Sequence, residues 1–323
     1  MFSIDELHLK VSDALAKQNL TLCPYELYEP ISYTLDLGGK RIRPVMVLLA
    51  CNLFTDEISH ALPPAMAIEF FHNFTLIHDD IMDDAPIRRN KPTVYKKWNA
   101  NTAILSGDTM FAKAYELLCE TDKEYLYKIL GTFTRTAIEV CEGQQFDMNF
   151  EKEESVPIDE YLNMIRLKTA VLLAASMNVG ACMGNASDED VKNLYSFGIN
   201  IGMAFQLQDD LLDVYADQEK FGKQLGNDIV TNKKTYLLLK AFELCNDSQK
   251  DRLRALLKLN EQTEIKVDGV KALYYELDIH KVTTNEIDIY FDKALADLDK
   301  VKVENSRKQE LLKFVSFLVK RDY

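Results

Sequence analysis

"FFHNFTLIHDDIMDDAPIRR", residues 70–89, runs from an apolar stretch into four aspartates and ends on two arginines. Phe70, Phe71, Phe74, Leu76 and Ile77 predict a helix that lines something dry, and the helix carries its acids at one end. Asp79 and Asp83 stand at i and i+4, so a helix stacks their carboxylates on one face. Like charges at that spacing destabilise a helix unless a cation lies between them. Carboxylate oxygens suit Mg²⁺, which keeps several waters and takes one or two carboxylates together with substrate phosphates.

A second copy of this pattern decides between a solvated acidic helix end and a metal site. "LQDDLLDVY", residues 207–215, repeats the apolar approach and the D-D-x-x-D spacing with Asp209, Asp210 and Asp213. One such cluster reads most simply as a solvated surface. Two, each emerging from an apolar helix, favour a magnesium cluster that clasps a diphosphate between facing helices. An EF-hand is excluded, because neither copy has the alternating ligands, central glycine and closing glutamate.

The rest of the chain agrees with a helical protein. Only 12 Gly and 8 Pro in 323 residues leave little room for many strands and tight turns. Periodicity predicts helices over about 3–18, 25–37, 42–54, 62–82, 94–98, 100–120, 123–150, 158–184, 188–215, 231–245, 247–257, 264–278 and 284–318. Residues 84–93, 151–157 and 216–230 are the least helical, and nothing resembles a linker, so one all-α domain over 1–323 is expected. A net charge of −13 argues against a nucleic-acid partner. The six cysteines form neither a C-x-x-C pair nor a zinc-spaced cluster and suit a reducing, cytoplasmic compartment. The first twenty residues lack the basic tip and apolar core of a signal peptide. No uncharged apolar run reaches the roughly 18–20 residues of a membrane span.

A diphosphate site also needs positive charge. "GGKRIRP", residues 38–44, sets Lys40, Arg41 and Arg43 behind two glycines at a predicted helix start. There, backbone N–H groups and the helix dipole favour an anion and arginine binds phosphate as a fork. Arg88 and Arg89 follow the first acidic cluster, and His72 precedes it on the same predicted helix. Lys168 and Thr169 interrupt an apolar helix, and Lys223 and Lys233 bracket the glycine-containing loop after the second cluster.

Taken in order, G-G-K-R-I-R-P, D-D-I-M-D with R-R, K-T, and Q-D-D-L-L-D followed by G-K resemble the trans-isoprenyl diphosphate synthases, or polyprenyl synthetases. The resemblance covers nearly the whole chain. It implies a bundle of antiparallel helices around a deep central cavity, usually a homodimer, that needs Mg²⁺ and joins isopentenyl diphosphate head-to-tail to an allylic diphosphate. By position it makes Asp79, Asp83 and Asp209 metal ligands, with Asp80, Asp210 and Asp213 in support. Arg88, Lys168, Lys223 and Lys233 match allylic-diphosphate contacts, and Thr169 and Gln206 lie beside the reacting carbons. Gly39, Lys40, Arg43, His72 and Arg89 match the isopentenyl-diphosphate site. The loop "GKQLGND" is one residue longer than the family's commoner form.

The implied reaction is ionisation, condensation and elimination, with about three Mg²⁺ ions balancing two diphosphates. Water must be kept from the allylic cation. The product grows back along the helix that carries Asp79, whose turn rises about 5.4 Å, close to one isoprene unit. Phe74, Thr75, Met110 and Phe111 therefore act as its ruler. "HNFTLIHDDIMD" is similar to archaeal-type geranylgeranyl synthases, so a C20 product is expected ahead of C15. A class I terpene cyclase would not need the second diphosphate site. A non-catalytic synthase subunit would be expected to have lost one acidic cluster.

Overall fold

The computed structural model describes residues 1–216, 226–259 and 262–319. The protein is all-α, as expected. Helices α1 (Ile4–Ala16), α2 (Tyr25–Asp36), α3 (Ile42–Asn52) and α4 (Leu62–Met82) lead to a two-residue hairpin and the short α5 (Val94–Lys97). Then come α6 (Ala100–Cys119), α7 (Lys123–Phe150), α8 (Ile158–Ile165), a five-residue π turn (Arg166–Ala170), α9 (Val171–Met183) and α10 (Asp188–Tyr215). Beyond them lie Asn227–Val230, Tyr236–Leu244, Asp247–Leu257, Thr263–Glu276, Ile279–Asp299 and Asn305–Val319.

These residues group into two compact units. The first comprises 1–134, 175–194 and 302–311, and the second 135–174, 195–301 and 312 onward. In the first, α3 and α4 are buried almost all round: Pro44–Asn52 and Pro64–Phe71 are each unbroken runs of buried residues. A helix apolar on every face belongs in a core. The one carboxylate in the α4 run, Glu69, is met by the Arg41 guanidinium at 2.5 Å. In the second unit the apolar residues of the π turn, α10 and Thr263–Glu276 supply buried side chains such as Leu167, Leu207, Leu273 and Tyr274.

Two expected helix boundaries move. The predicted helix over 284–318 is two helices, because the Lys302 N–H leaves the helical ladder and donates to the buried Asp190 carboxylate at 2.8 Å. The helix expected from 231 starts at Tyr236, where the Thr235 hydroxyl accepts from the Leu238 N–H. Within 84–93, Ile87 pairs with Pro92 and Arg88 with Lys91, antiparallel. The turn between them has positive φ at both Arg89 (52°) and Asn90 (60°), the conformation a two-residue hairpin requires.

The segment Ile158–Met183 meets the length and composition of a membrane span, but 83% of its apolar window is buried inside the protein, as in a core helix.

Candidate active site

Both acidic clusters end long helices. Asp79 and Asp80 fall in the last turn of α4 with Asp83 as its C-cap, and Asp209, Asp210 and Asp213 fall in the last two turns of α10. The C-terminal end of a helix carries negative partial charge, where carboxylates are disfavoured and cations welcomed. Neither helix has a basic residue in its last turn. Such placement costs stability unless cations are recruited, so the donor set fits a hard divalent ion.

The structure separates the first four aspartates. Asp80 is buried, and Arg88 donates to its Oδ1 from Nε and a terminal nitrogen, each at 2.8 Å. Burial raises the pKa of Asp80, and Arg88 opposes that rise. Asp84 accepts from the Tyr95 hydroxyl at 2.8 Å and pairs with Lys96 at 3.2 Å. Asp79, partly buried, and exposed Asp83 remain one turn apart on the same face of α4. Asp80 is thus engaged with the expected phosphate ligand Arg88.

In the same unit the basic residues converge. Gly38, Gly39 and Arg41 take φ of 78°, 131° and 46°, which folds the backbone tightly before α3. The Arg89 guanidinium lies across this turn and donates to the Gly38 carbonyl. A Cβ on Gly39 would come within 2.7 Å of that guanidinium, so the glycine makes room for it. Arg43 lies 3.1 Å from His72 Nε2. Burial holds the His72 pKa well below its ordinary value, and Arg43, Arg89, Arg88 and Arg41 push it further down. Gly39, Arg43, His72 and Arg89 are therefore brought together, with Lys40 exposed at the same turn. Arg41 pairs instead with Glu69 and donates to the Leu35 carbonyl.

Behind Asp79, aromatic rings tile α4 and α6. Phe74 stacks on Phe111 with centroids 5.0 Å apart and planes 10° apart, and packs edge-on against His78. Phe71, Tyr115 and Phe133 continue the cluster. Thr75 donates to the His72 carbonyl at 2.8 Å, while Met110 is fully buried in the core.

In the second unit, the π turn presents Lys168 and Thr169. Lys168 pairs with Asp147 at 2.6 Å, and the Thr169 hydroxyl donates to Gln206 Oε1 at 2.9 Å. Gln206 in turn donates to Asp210 Oδ1 at 3.0 Å, and the Tyr161 hydroxyl donates to Asp210 Oδ2. Burial, with nearby Asp228 adding to it, raises the Asp210 pKa to about 7. Asp213 accepts from the Asp228 N–H at 3.0 Å, which caps the short helix Asn227–Val230. Lys233 follows that helix, its N–H donating to the Asp228 carbonyl at 2.9 Å. Lys223 lies outside the described residues.

Sequence reasoning missed Asp147, Tyr161 and Glu69. A signal existed for Asp147: it stands one turn after Gly143 on α7, and a Cβ on Gly143 would collide with the backbone of Lys168. Among the described residues no three His, Cys, Asp or Glu side chains form a metal cage.

The chain matches the family model described as polyprenyl synthetase over residues 24–277. It is 43% identical over 248 residues to a geranylgeranyl diphosphate synthase of Methanosarcina mazei, covering 75% of this chain and 76% of that protein. It is 38% identical over 303 residues to a geranylgeranyl diphosphate synthase of Sulfolobus acidocaldarius, covering 92% and 91%. A crystal structure of a geranylgeranyl pyrophosphate synthase is similar with a TM-score of 0.95 and 41% identity, covering 100% of both chains.

Proposed function

Because the chain belongs to the polyprenyl synthetase family, we propose that it condenses isopentenyl diphosphate head-to-tail with an allylic diphosphate. The product is an all-trans short-chain diphosphate, with C20 geranylgeranyl diphosphate ahead of C15. What supports this reading is that Gly39, Arg43, His72 and Arg89 lie together on the unit whose α4 ends in Asp79 and Asp83, an arrangement suited to a second anion. A cyclase has no use for that second anion site.

Asp79, Asp83 and Asp209 are the residues we assign to magnesium, about three ions in all, with Asp80, Asp210 and Asp213 supporting them. When bound, the metal neutralises diphosphate and stabilises it as a leaving group. The chain's own groups do the rest. Arg89, Arg43, Lys40 and neutral His72 hold the isopentenyl diphosphate. Arg88, Lys168, Lys223 and Lys233 hold the allylic one. Asp80 and Asp147 orient Arg88 and Lys168 for that task. Thr169 and Gln206 flank the reacting carbons. The Phe74–Phe111 stack keeps water from the cation and limits how far the product grows.

The scatter of the six cysteines, with no C-x-x-C pair, supports a cytoplasmic setting, and family membership together with exposed Ile104 and Leu105 on α6 supports a homodimer.

The test supplies dimethylallyl, geranyl or farnesyl diphosphate with magnesium, with and without isopentenyl diphosphate, and reads products by mass. A C20 diphosphate formed only when isopentenyl diphosphate is present supports the reading; turnover of the allylic substrate alone defeats it. Asp79→Ala should lower turnover by about a thousandfold or more while the far-ultraviolet spectrum stays unchanged. Phe74→Ala should shift products beyond C20, and an unaltered profile removes Phe74 from the ruler.

A further inference from the structure

Tyr161 is 2% exposed, and the geometry ties it through Asp210 and Gln206 to Thr169 by a continuous chain of hydrogen bonds. It lies on α8, which runs without a break into the π turn that carries Lys168 and Thr169. Gln206 and Asp210 lie one turn apart on α10. Two bonds cross between these helices, from Tyr161 to Asp210 and from Thr169 to Gln206, and the Gln206–Asp210 bond joins them along α10.

With Asp210 ionised, each bond has one sense, and Asp210 accepts on both oxygens. Gln206 must therefore turn its NH₂ to Asp210 and its carbonyl to Thr169; the reverse orientation would set oxygen against oxygen. With Gln206 so turned, the Thr169 hydrogen is directed at the amide and the hydroxyl offers lone pairs to what lies beside it. A centre of developing positive charge is stabilised by lone pairs and opposed by an O–H hydrogen.

We propose that Tyr161 is a positioning residue for the condensation: its hydroxyl holds Asp210, which sets the Gln206 amide and through it the orientation of Thr169. The inference rests on the reading that Thr169 and Gln206 flank the reacting carbons. Tyr161 itself touches no substrate in this scheme. Its removal leaves the isopentenyl-diphosphate residues of the first unit unaltered.

The experiment compares Tyr161→Phe, Thr169→Val and the double variant in the full-length protein. It measures kcat, KM for isopentenyl diphosphate and the fraction of allylic substrate released as alcohol. Rates are normalised to the folded fraction from circular dichroism, so partial unfolding of a variant does not count as lost catalysis. Tyr161→Phe should lower kcat roughly tenfold to a hundredfold, leave that KM within about twofold, and raise the alcohol fraction. The double variant should be no slower than Thr169→Val within about twofold, because the two changes act through one chain of contacts. If Thr169→Val is slow while Tyr161→Phe keeps normal kcat, or if the two losses multiply, the positioning role is overturned. A fully active Thr169→Val variant instead overturns the underlying placement of Thr169, and the inference with it.

Discussion

Arg41 and Arg43 stand two positions apart in one basic motif, yet they face different environments. Arg41 is needed by the core, where Glu69 would otherwise be a buried, uncompensated carboxylate, while Arg43 meets His72. The same sorting divides the first aspartates, with Asp80 given to Arg88 and Asp84 to Tyr95 and Lys96. His72 makes this environment measurable. Arg43 donates to Nε2, so the ring is neutral with its proton on Nδ1, and burial with four nearby arginines keeps it so. The folded protein therefore binds a proton at His72 less readily than the unfolded chain does. Stability from this residue is complete above the unfolded value of about 6.5 and is lost as pH falls below it, by at most about 1.4 kcal/mol per pH unit. Stability read from denaturation curves between pH 7.5 and 5 should fall less steeply for His72→Gln than for the parent; equal slopes would mean that the ring is freely protonated in the fold.

Elements meet here through small residues and single buried hydrogen bonds. Gly143 of α7 lets the backbone of the π turn approach closely, and Asp147 one turn on pairs with the ammonium of Lys168. Gly143→Ala puts a methyl against backbone that cannot yield as a flexible side chain would. A loss of about 1–3 kcal/mol in stability is expected, together with lower turnover, read by urea melts and product assay. Asp190 likewise stabilises the break between Ile279–Asp299 and Asn305–Val319. Asp190→Ala should cost about 1–3 kcal/mol by leaving the Lys302 N–H without its buried acceptor. A melt indistinguishable from the parent would show that the break forms without that contact.

At the scale of the whole molecule, both acidic clusters stand at helix C-terminal ends, which disfavour negative charge and welcome cations. Magnesium with inorganic diphosphate should therefore raise the melting temperature by several degrees, about 2.7 kcal/mol of stabilisation at a hundred times the dissociation constant. Magnesium or diphosphate alone should do much less. Chelation should abolish condensation with no change in helical content. An equal shift from diphosphate alone would locate its binding in the basic cluster without help from the aspartates.

Much of this was legible in the sequence because it is local. Helix periodicity placed α4, α6, α7 and α10 nearly to the residue, and i, i+4 spacing on a helix put Asp79 with Asp83 and Asp209 with Asp213 on common faces. Ordered motifs then carried the family. Tertiary structure alone decided which charges face inward. Arg41 against Glu69 and Asp210 beneath Tyr161 are partners 28 and 49 positions apart, and these pairs, like Asp80 with Arg88 across the hairpin turn, are fixed by burial, which no local pattern encodes. The helix break at 300–304 has the same origin: no proline or glycine marks it, and the backbone leaves its ladder because a buried carboxylate elsewhere accepts the hydrogen bond.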